Sequence, residues 1–116
     1  MLVGYFDESG HSSATEFFAL AAFISEDLEW ARFDKQWRRA LDRNGAPYLH
    51  MREFAHFRGA FTGWTEEQRR SLLGECVTAI NSVNAIAVGA AMSVEDFNIL
   101  DHEGQSRLQD PFFCCF

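Results

Sequence analysis

Positive charge is scarce in this sequence. Ten Lys and Arg side chains face seventeen Asp and Glu among 116 residues, a net charge of −7. That balance excludes a nucleic-acid binder that works by bulk attraction, although a local basic strip or bound cations can still supply a positive field. Cysteine is equally sparse. Cys76, Cys114 and Cys115 make an odd set, two of them adjacent and none in a CxxC spacing. This excludes a disulfide framework and points to reduced thiols in a cytoplasmic protein. No apolar run approaches the ~18 residues of a membrane helix, so no membrane partner is expected. The opening MLVGYFDESG lacks a basic leader region, and its apolar run is too short for a signal peptide. No internal repeat or low-complexity tract is present.

What is there is a core. Hydrophobic residues make up 47% of the chain, with 12 Phe and 3 Trp, which is not a disordered composition. The length fits a single domain over residues 1–116, and a chain of this size buries roughly two-thirds of its unfolded surface. Leu2 to Phe6 reads as a strand, followed by the turn chemistry of Asp-Glu-Ser-Gly and the polar stretch HSSATE. Phe17 to Ile24, FFALAAFI, reads as a second strand, near-continuously apolar and so expected to be buried on both faces. The two form a β-hairpin.

Ser25 is expected to cap a helix whose stripe is Trp30, Phe33, Trp37, Ala40 and Leu41, stopped by Asn44-Gly45. Tyr48 to Met51 reads as a short extended piece or strand, followed by one helical turn and a loop. Thr65 opens the next helix, where T-E-E-Q matches a capping box and Leu72, Leu73, Cys76, Val77, Ile80 and Val83 form the buried stripe. Ala85 to Met92 is a third strand, and Ser93 caps a last short helix with Asp96 as its reciprocal residue. A helix joining two parallel strands crosses over right-handed, which predicts an α/β layer with helices covering the sheet. The chain ends on the apolar DPFFCCF. This is read as a piece of a longer protein, the other reading being a segment tucked into the core. An orphaned strand there predicts self-association through the apolar C-terminus.

Asp7 and Glu8 lead the residues that can do chemistry. Consecutive strand residues point to opposite faces, so Asp7 is expected to be the inner one. A carboxylate at the end of a central strand is well placed to hold Mg²⁺ or Mn²⁺. The competing reading is an Asx-turn. Histidine is the side chain suited to proton transfer near neutral pH, so His50 suits a proton shuttle or a leaving-group contact, against a half-buried histidine bonded to backbone. Glu53, three residues on, shares a helical face with it but reads as a solvated charge. His11 reads as an exposed loop histidine. Glu95, Asp96, Asp101 and Glu103 read as a solvated helix face. Arg32, Arg38, Arg39 and Arg43 read as the outer face of a helix, with phosphate contact as the alternative. No G-x-S-x-G elbow surrounds Ser9, and no phosphate-cradling glycine motif is present.

A strand ending in F-D-E-S-G, followed by an apolar second strand, resembles the opening of the bacterial domain-of-unknown-function family 3800. Members later carry a leucine-histidine segment ahead of a helix, to which YLHMREF at 48–54 is similar. The resemblance spans this whole chain but the first half of a usual member. The later Gln-x-x-Asp helix of the family has no counterpart, since Gln109-Asp110 comes too early. It implies an incomplete RNase H-like α/β fold, a mixed sheet opened by a β-hairpin with helices packed on it. It further implies a metal-dependent nuclease acting on nucleic acid, with Asp7 as the first Mg²⁺ or Mn²⁺ ligand, Glu8 as a weaker second and His50 as active-site partner. A second reading, of another class, is a catalytically inactive interaction module of a mobile-element or defence system. The acidic charge and apolar ending favour it.

Overall fold

The computed structural model describes residues 1–9, 16–100 and 102–108, the last stretch without the side chains of His102, Gln105 and Leu108. His11, Asp101, the Gln109-Asp110 pair, Cys114, Cys115 and the apolar ending lie outside the described residues. In chain order the elements are β1 (Leu2–Ser9), β2 (Phe17–Glu26), α1 (Asp27–Asn44), α2 (Met51–Ala55), a 3-10 turn (Gly59–Phe61), α3 (Glu66–Asn81), β3 (Ile86–Ser93), α4 (Val94–Ile99) and α5 (His102–Leu108). They divide into two compact units, Met1–Ser25 with Ala85–Phe116, and Glu26–Asn84.

The first unit carries a three-stranded sheet in the order β1-β2-β3. β3 runs antiparallel to β2, from Phe17 opposite Ser93 to Ile24 opposite Ile86. The expected parallel crossover is therefore absent among the described strands, and the sheet is antiparallel rather than mixed. The reason lies in the segment between β2 and β3. Side-chain links pair Asn44 with Glu75, Gln36 with Ser82 and Glu29 with the Asn84 backbone. Positions rise along α1 as they fall along α3 and the residues after it, so the two helices are antiparallel. A helical hairpin returns the chain to where it left, so β2 and β3 pair as neighbours in a hairpin whose loop is itself folded.

β2 was expected to be buried on both faces, and it is not. Phe18, Leu20 and Ala22 are buried while Phe17, Ala19, Ala21 and Phe23 are more open, the period of a half-covered strand. Its continuous apolar sequence hides this alternation, because alanines fill the open face at Ala19 and Ala21. β1 extends through Ser9, so Asp7-Glu8-Ser9 belongs to the strand and not to the turn. Within this unit Ser93 Oγ accepts the Asp96 backbone N–H at 3.3 Å and caps α4 as its sequence predicts. Phe97 on α4 is buried.

The second unit is built around aromatic and small side chains. Ala40, Ala46, Phe54, Phe61, Leu72 and Cys76 form its buried cluster, with Trp37, Leu41, Leu49 and Trp64 packed against it. α1 begins one residue later than Ser25 would set it. Its N-cap is Glu26, which makes no side-chain cap bond. Gly45 closes it in the left-handed conformation (φ 66°), donating its N–H to the carbonyls of Asp42 and Leu41. The capping box on α3 is complete, with Thr65 Oγ1 accepting from Gln68 N–H and Gln68 Oε1 accepting from Thr65 N–H. The buried stripe of α3 is Leu72, Cys76 and Ala79. Leu73 and Val77, expected inside, are 41% and 45% exposed because α1 covers only one narrow face of the helix. No strand forms at 48–50; the chain there is irregular and leads directly into α2. Cys76 is a free buried thiol, and burial raises its pKa, as befits an unreactive core cysteine.

Phe61 is the most connected of these residues, with ring centroids at 5.2 Å from Phe54, 5.1 Å from Trp64 and 6.1 Å from Tyr48, all edge-to-face. Phe61→Ala is expected to destabilise this unit by about 3–5 kcal/mol, since transfer and cavity terms add. Urea unfolding followed by tryptophan fluorescence checks this. Leu73→Ala on the exposed face of α3 is the control and should stay under about 1 kcal/mol.

Candidate functional site

Asp7 and Glu8 stand near the end of β1, where every residue but Val3 is exposed. Alternation sends the two carboxylates to opposite faces of the strand. The Oδ1 of Asp7 accepts the adjacent Glu8 backbone N–H at 3.1 Å, and no cationic side chain pairs with it among the described residues. β1 is an edge strand of the described sheet, with β2 central. The expectation that Asp7 closes a central strand is corrected accordingly: β3 adds beside β2 and leaves β1 outermost. Among the described residues no three His, Cys, Asp or Glu side chains gather as a metal cage.

His50 belongs to the helical unit. It is the N-cap residue of α2, extended at φ −112° and ψ 107°, and its carbonyl accepts the Glu53 and Phe54 N–H groups. Its side chain is 60% exposed, so it is not the half-buried histidine that the competing reading expected. The imidazole Nδ1 lies 3.5 Å from Glu53 Oε1. Glu53 is not a freely solvated charge either. Its other oxygen, Oε2, accepts the Tyr48 hydroxyl at 2.7 Å. The carboxylate also rests on Gly59 (φ 56°), where an added Cβ would come within 2.2 Å of Oε2. A side chain there would displace the carboxylate from this position, and the backbone is in the region glycine tolerates best.

Tyr48 is the functional candidate that sequence reasoning missed. Helical spacing ties His50 to Glu53 but not Tyr48 to either, because Tyr48 lies ahead of the helix in irregular chain. The clue available was the run Tyr-x-His-x-x-Glu leading into a helix start, with a glycine six residues beyond the glutamate. The electrostatics follow the contacts. The Tyr48 hydroxyl, more than the neighbouring His50, holds the Glu53 carboxyl below its ordinary pKa, against an opposing push from partial burial. The same bond raises the phenol of Tyr48 above its ordinary 10.0.

The arginine strip on α1 is mostly spoken for. Arg32 pairs with Glu29 at 2.6 Å, Arg38 with Asp34 at 2.9 Å and Arg43 with Glu75 at 3.6 Å. This fits the outer-face reading and not a row of free phosphate contacts. In the acidic C-terminal set, Glu103 pairs with Arg107, while Glu95 and Asp96 sit exposed in the first turn of α4, where the helix dipole favours them. No helix among the described residues is long and apolar enough to cross a membrane.

The bond between Tyr48 and Glu53 has a definite pH signature. A carboxyl with a depressed folded pKa contributes stability that is present above its unfolded value and is lost as pH falls through the folded value. The raised phenol works in the opposite sense: its contribution is full below 10.0 and is lost as pH rises through the folded value. Tyr48→Phe should move the Glu53 side-chain ¹³C titration upward toward the ordinary carboxyl range. Arg58→Gln should leave it in place. The chain has no match in the comparisons with known proteins, whether family models, curated proteins or solved structures.

Proposed function

We propose that this chain is a metal-dependent phosphodiester hydrolase of nucleic acid, with Mg²⁺ or Mn²⁺ held by Asp7 and secondarily by Glu8. The observation that carries the reading is the exposed Asp7 carboxylate near the end of β1, engaged among the described residues by its neighbour's N–H. Magnesium keeps several waters and uses one or two carboxylates together with substrate phosphates. An outward carboxylate without a full protein cage fits that preference, and oxygen donors suit these ions better than softer metals. When bound, such an ion offsets phosphate charge and lowers the pKa of a coordinated water.

The β-hairpin opening and the resemblance at residues 5–10 and 48–54 support an RNase H-like architecture as part of the same proposal. The reading also asks that cations offset the chain's charge of −7, which a divalent ion at Asp7 does locally.

A second reading has its own support. On the sheet unit Leu2, Tyr5, Phe6, Phe17, Ile86 and Val88 are exposed by 46–71%. Apolar surface of this kind suits a protein-interaction module without catalysis.

Calorimetric titration with Mn²⁺ separates the two. The wild-type chain should bind, with a matching rise in melting temperature, because a ligand of the native state stabilises it. Asp7→Asn should bind at least ~10-fold more weakly while its stability stays within about 0.5 kcal/mol of wild type. A large stability loss in Asp7→Asn would assign the residue a structural role in β1. No Mn²⁺ response in the wild type would favour the interaction module.

A further inference from the structure

We infer that Tyr48, Glu53 and His50 form a proton-transfer site in which Glu53 is a positioning residue, fixing the imidazole of His50 with Nδ1–H toward the carboxylate and Nε2 open to a reacting group. That the reacting group is a phosphoester rests on the nuclease reading; the fixed imidazole does not.

The arrangement is anchored in the core. Phe61 is 1% exposed, and the Tyr48 ring stands edge-on to it, which sets where the hydroxyl points. That hydroxyl holds Oε2 of Glu53 at 2.7 Å. Gly59 supplies the space beneath the carboxylate. The backbone carbonyl of Glu53 is itself bound by the N–H groups of Arg58 at 2.9 Å and His56 at 3.3 Å, so the residue is anchored at both ends. Its free oxygen, Oε1, is thereby left facing His50 Nδ1 at 3.5 Å.

An ionised carboxylate has no proton to donate. A neutral imidazole facing it is favoured with its proton on Nδ1, which leaves Nε2 as the acceptor. Free imidazole side chains prefer the opposite tautomer, so the carboxylate performs a selection that solvent would not. The His50 side chain is 60% exposed, so Nε2 is reachable by a substrate. Arg52 and Arg58 flank Glu53 in sequence, are both exposed and make no ion pair among the described residues. In a chain with a net charge of −7 they give this segment a local preference for anionic ligands.

For a phosphoester the proton balance closes. The oxygen of a water bonds to phosphorus as its proton passes to Nε2. The ester P–O bond breaks, and the leaving oxygen then takes that proton back from Nε2–H. The Glu53 carboxylate stays ionised throughout and compensates the imidazolium, the part a buried carboxylate plays beside a catalytic histidine.

Long-range ¹⁵N–¹H correlation spectra of histidine-labelled protein, recorded where the imidazole is neutral and assigned with His50→Gln, read the tautomer directly. The wild type should show His50 with Nδ1–H. Glu53→Ala should revert it to Nε2–H. Tyr48→Phe, which keeps the ring against Phe61 and so keeps the fold, should shift the balance part of the way. An Nε2–H tautomer in the wild type, or one unmoved by either variant, overturns the inference.

Hydrolysis of bis(4-nitrophenyl) phosphate with Mn²⁺ addresses the reacting group. Glu53→Gln should lower kcat about 10- to 100-fold with KM little changed, by analogy with the loss of outer partners of metal-bound histidines. An active wild type with an unaffected Glu53→Gln overturns the positioning role. An inactive wild type that still shows the Nδ1–H tautomer overturns the phosphoester substrate and the nuclease reading, and leaves the fixed imidazole standing.

Discussion

The edge-to-face packing around Phe61 is the contact on which the helical unit depends. The stretch from Ala46 to Trp64 contains only one short helix and one 3-10 turn, so backbone hydrogen bonding alone cannot hold it. Tyr48, Phe54 and Trp64 all meet the Phe61 ring, and aromatic pairs of this geometry contribute about 0.5–1.5 kcal/mol each beyond the area they bury. The cluster continues into Leu72 and Cys76 of α3 and Ala40 of α1. What looks like a loop is thereby fastened to two helices. The same ring fixes Tyr48, Tyr48 fixes Glu53, and Glu53 faces His50, so one hydrophobic contact propagates into a polar site.

The insertion of that unit between β2 and β3 follows from helix geometry. α1 and α3 lie antiparallel, and the Asn84 N–H donates to Glu29 Oε2 at 3.1 Å, tying the outgoing chain to the returning one. The two strands so joined pair antiparallel. The result is a sheet whose neighbours are also neighbours in sequence order, with β1 outermost among the described strands. An edge strand exposes backbone groups and the side chains of both faces, and β1 carries Asp7 and Glu8 there together with Tyr5 and Phe6. The same exposure makes the acidic pair accessible to an ion and the apolar pair accessible to a partner, which is why two functional readings arise from one strand.

Charge is distributed with similar economy. Arg32, Arg38 and Arg43 are each paired with a carboxylate, so most of the positive charge on α1 is internally compensated. Exposed pairs of this kind contribute little stability, at most about 1 kcal/mol, but they remove arginines from the pool that could meet a polyanion. Arg69 is likewise engaged, pairing with Glu66 and stacking on Phe57 at 4.6 Å. Arg52 and Arg58, near His50 and Glu53 in sequence, make no ion pair among the described residues.

The sequence alone determined the elements with strong local signals. The left-handed stop at Gly45, the Thr65–Gln68 capping box and the Ser93 cap depend on neighbours within a few residues, and local chemistry is enough to place them. It also pointed to Asp7, Glu8 and His50 as residues worth testing. What it could not decide depended on partners far along the chain. The face of α3 that is buried was set by where α1 lies, which left Leu73 and Val77 outside. The half-covered state of β2 was hidden by alanines that look like core. The direction of β3 was set by a helical hairpin that a single-helix rule does not anticipate. Glu53 read as a solvated charge because its partners, the Tyr48 hydroxyl and the vacant side of Gly59, reach it from irregular chain with no period to count. Only tertiary packing, through Phe61, brings those three residues together.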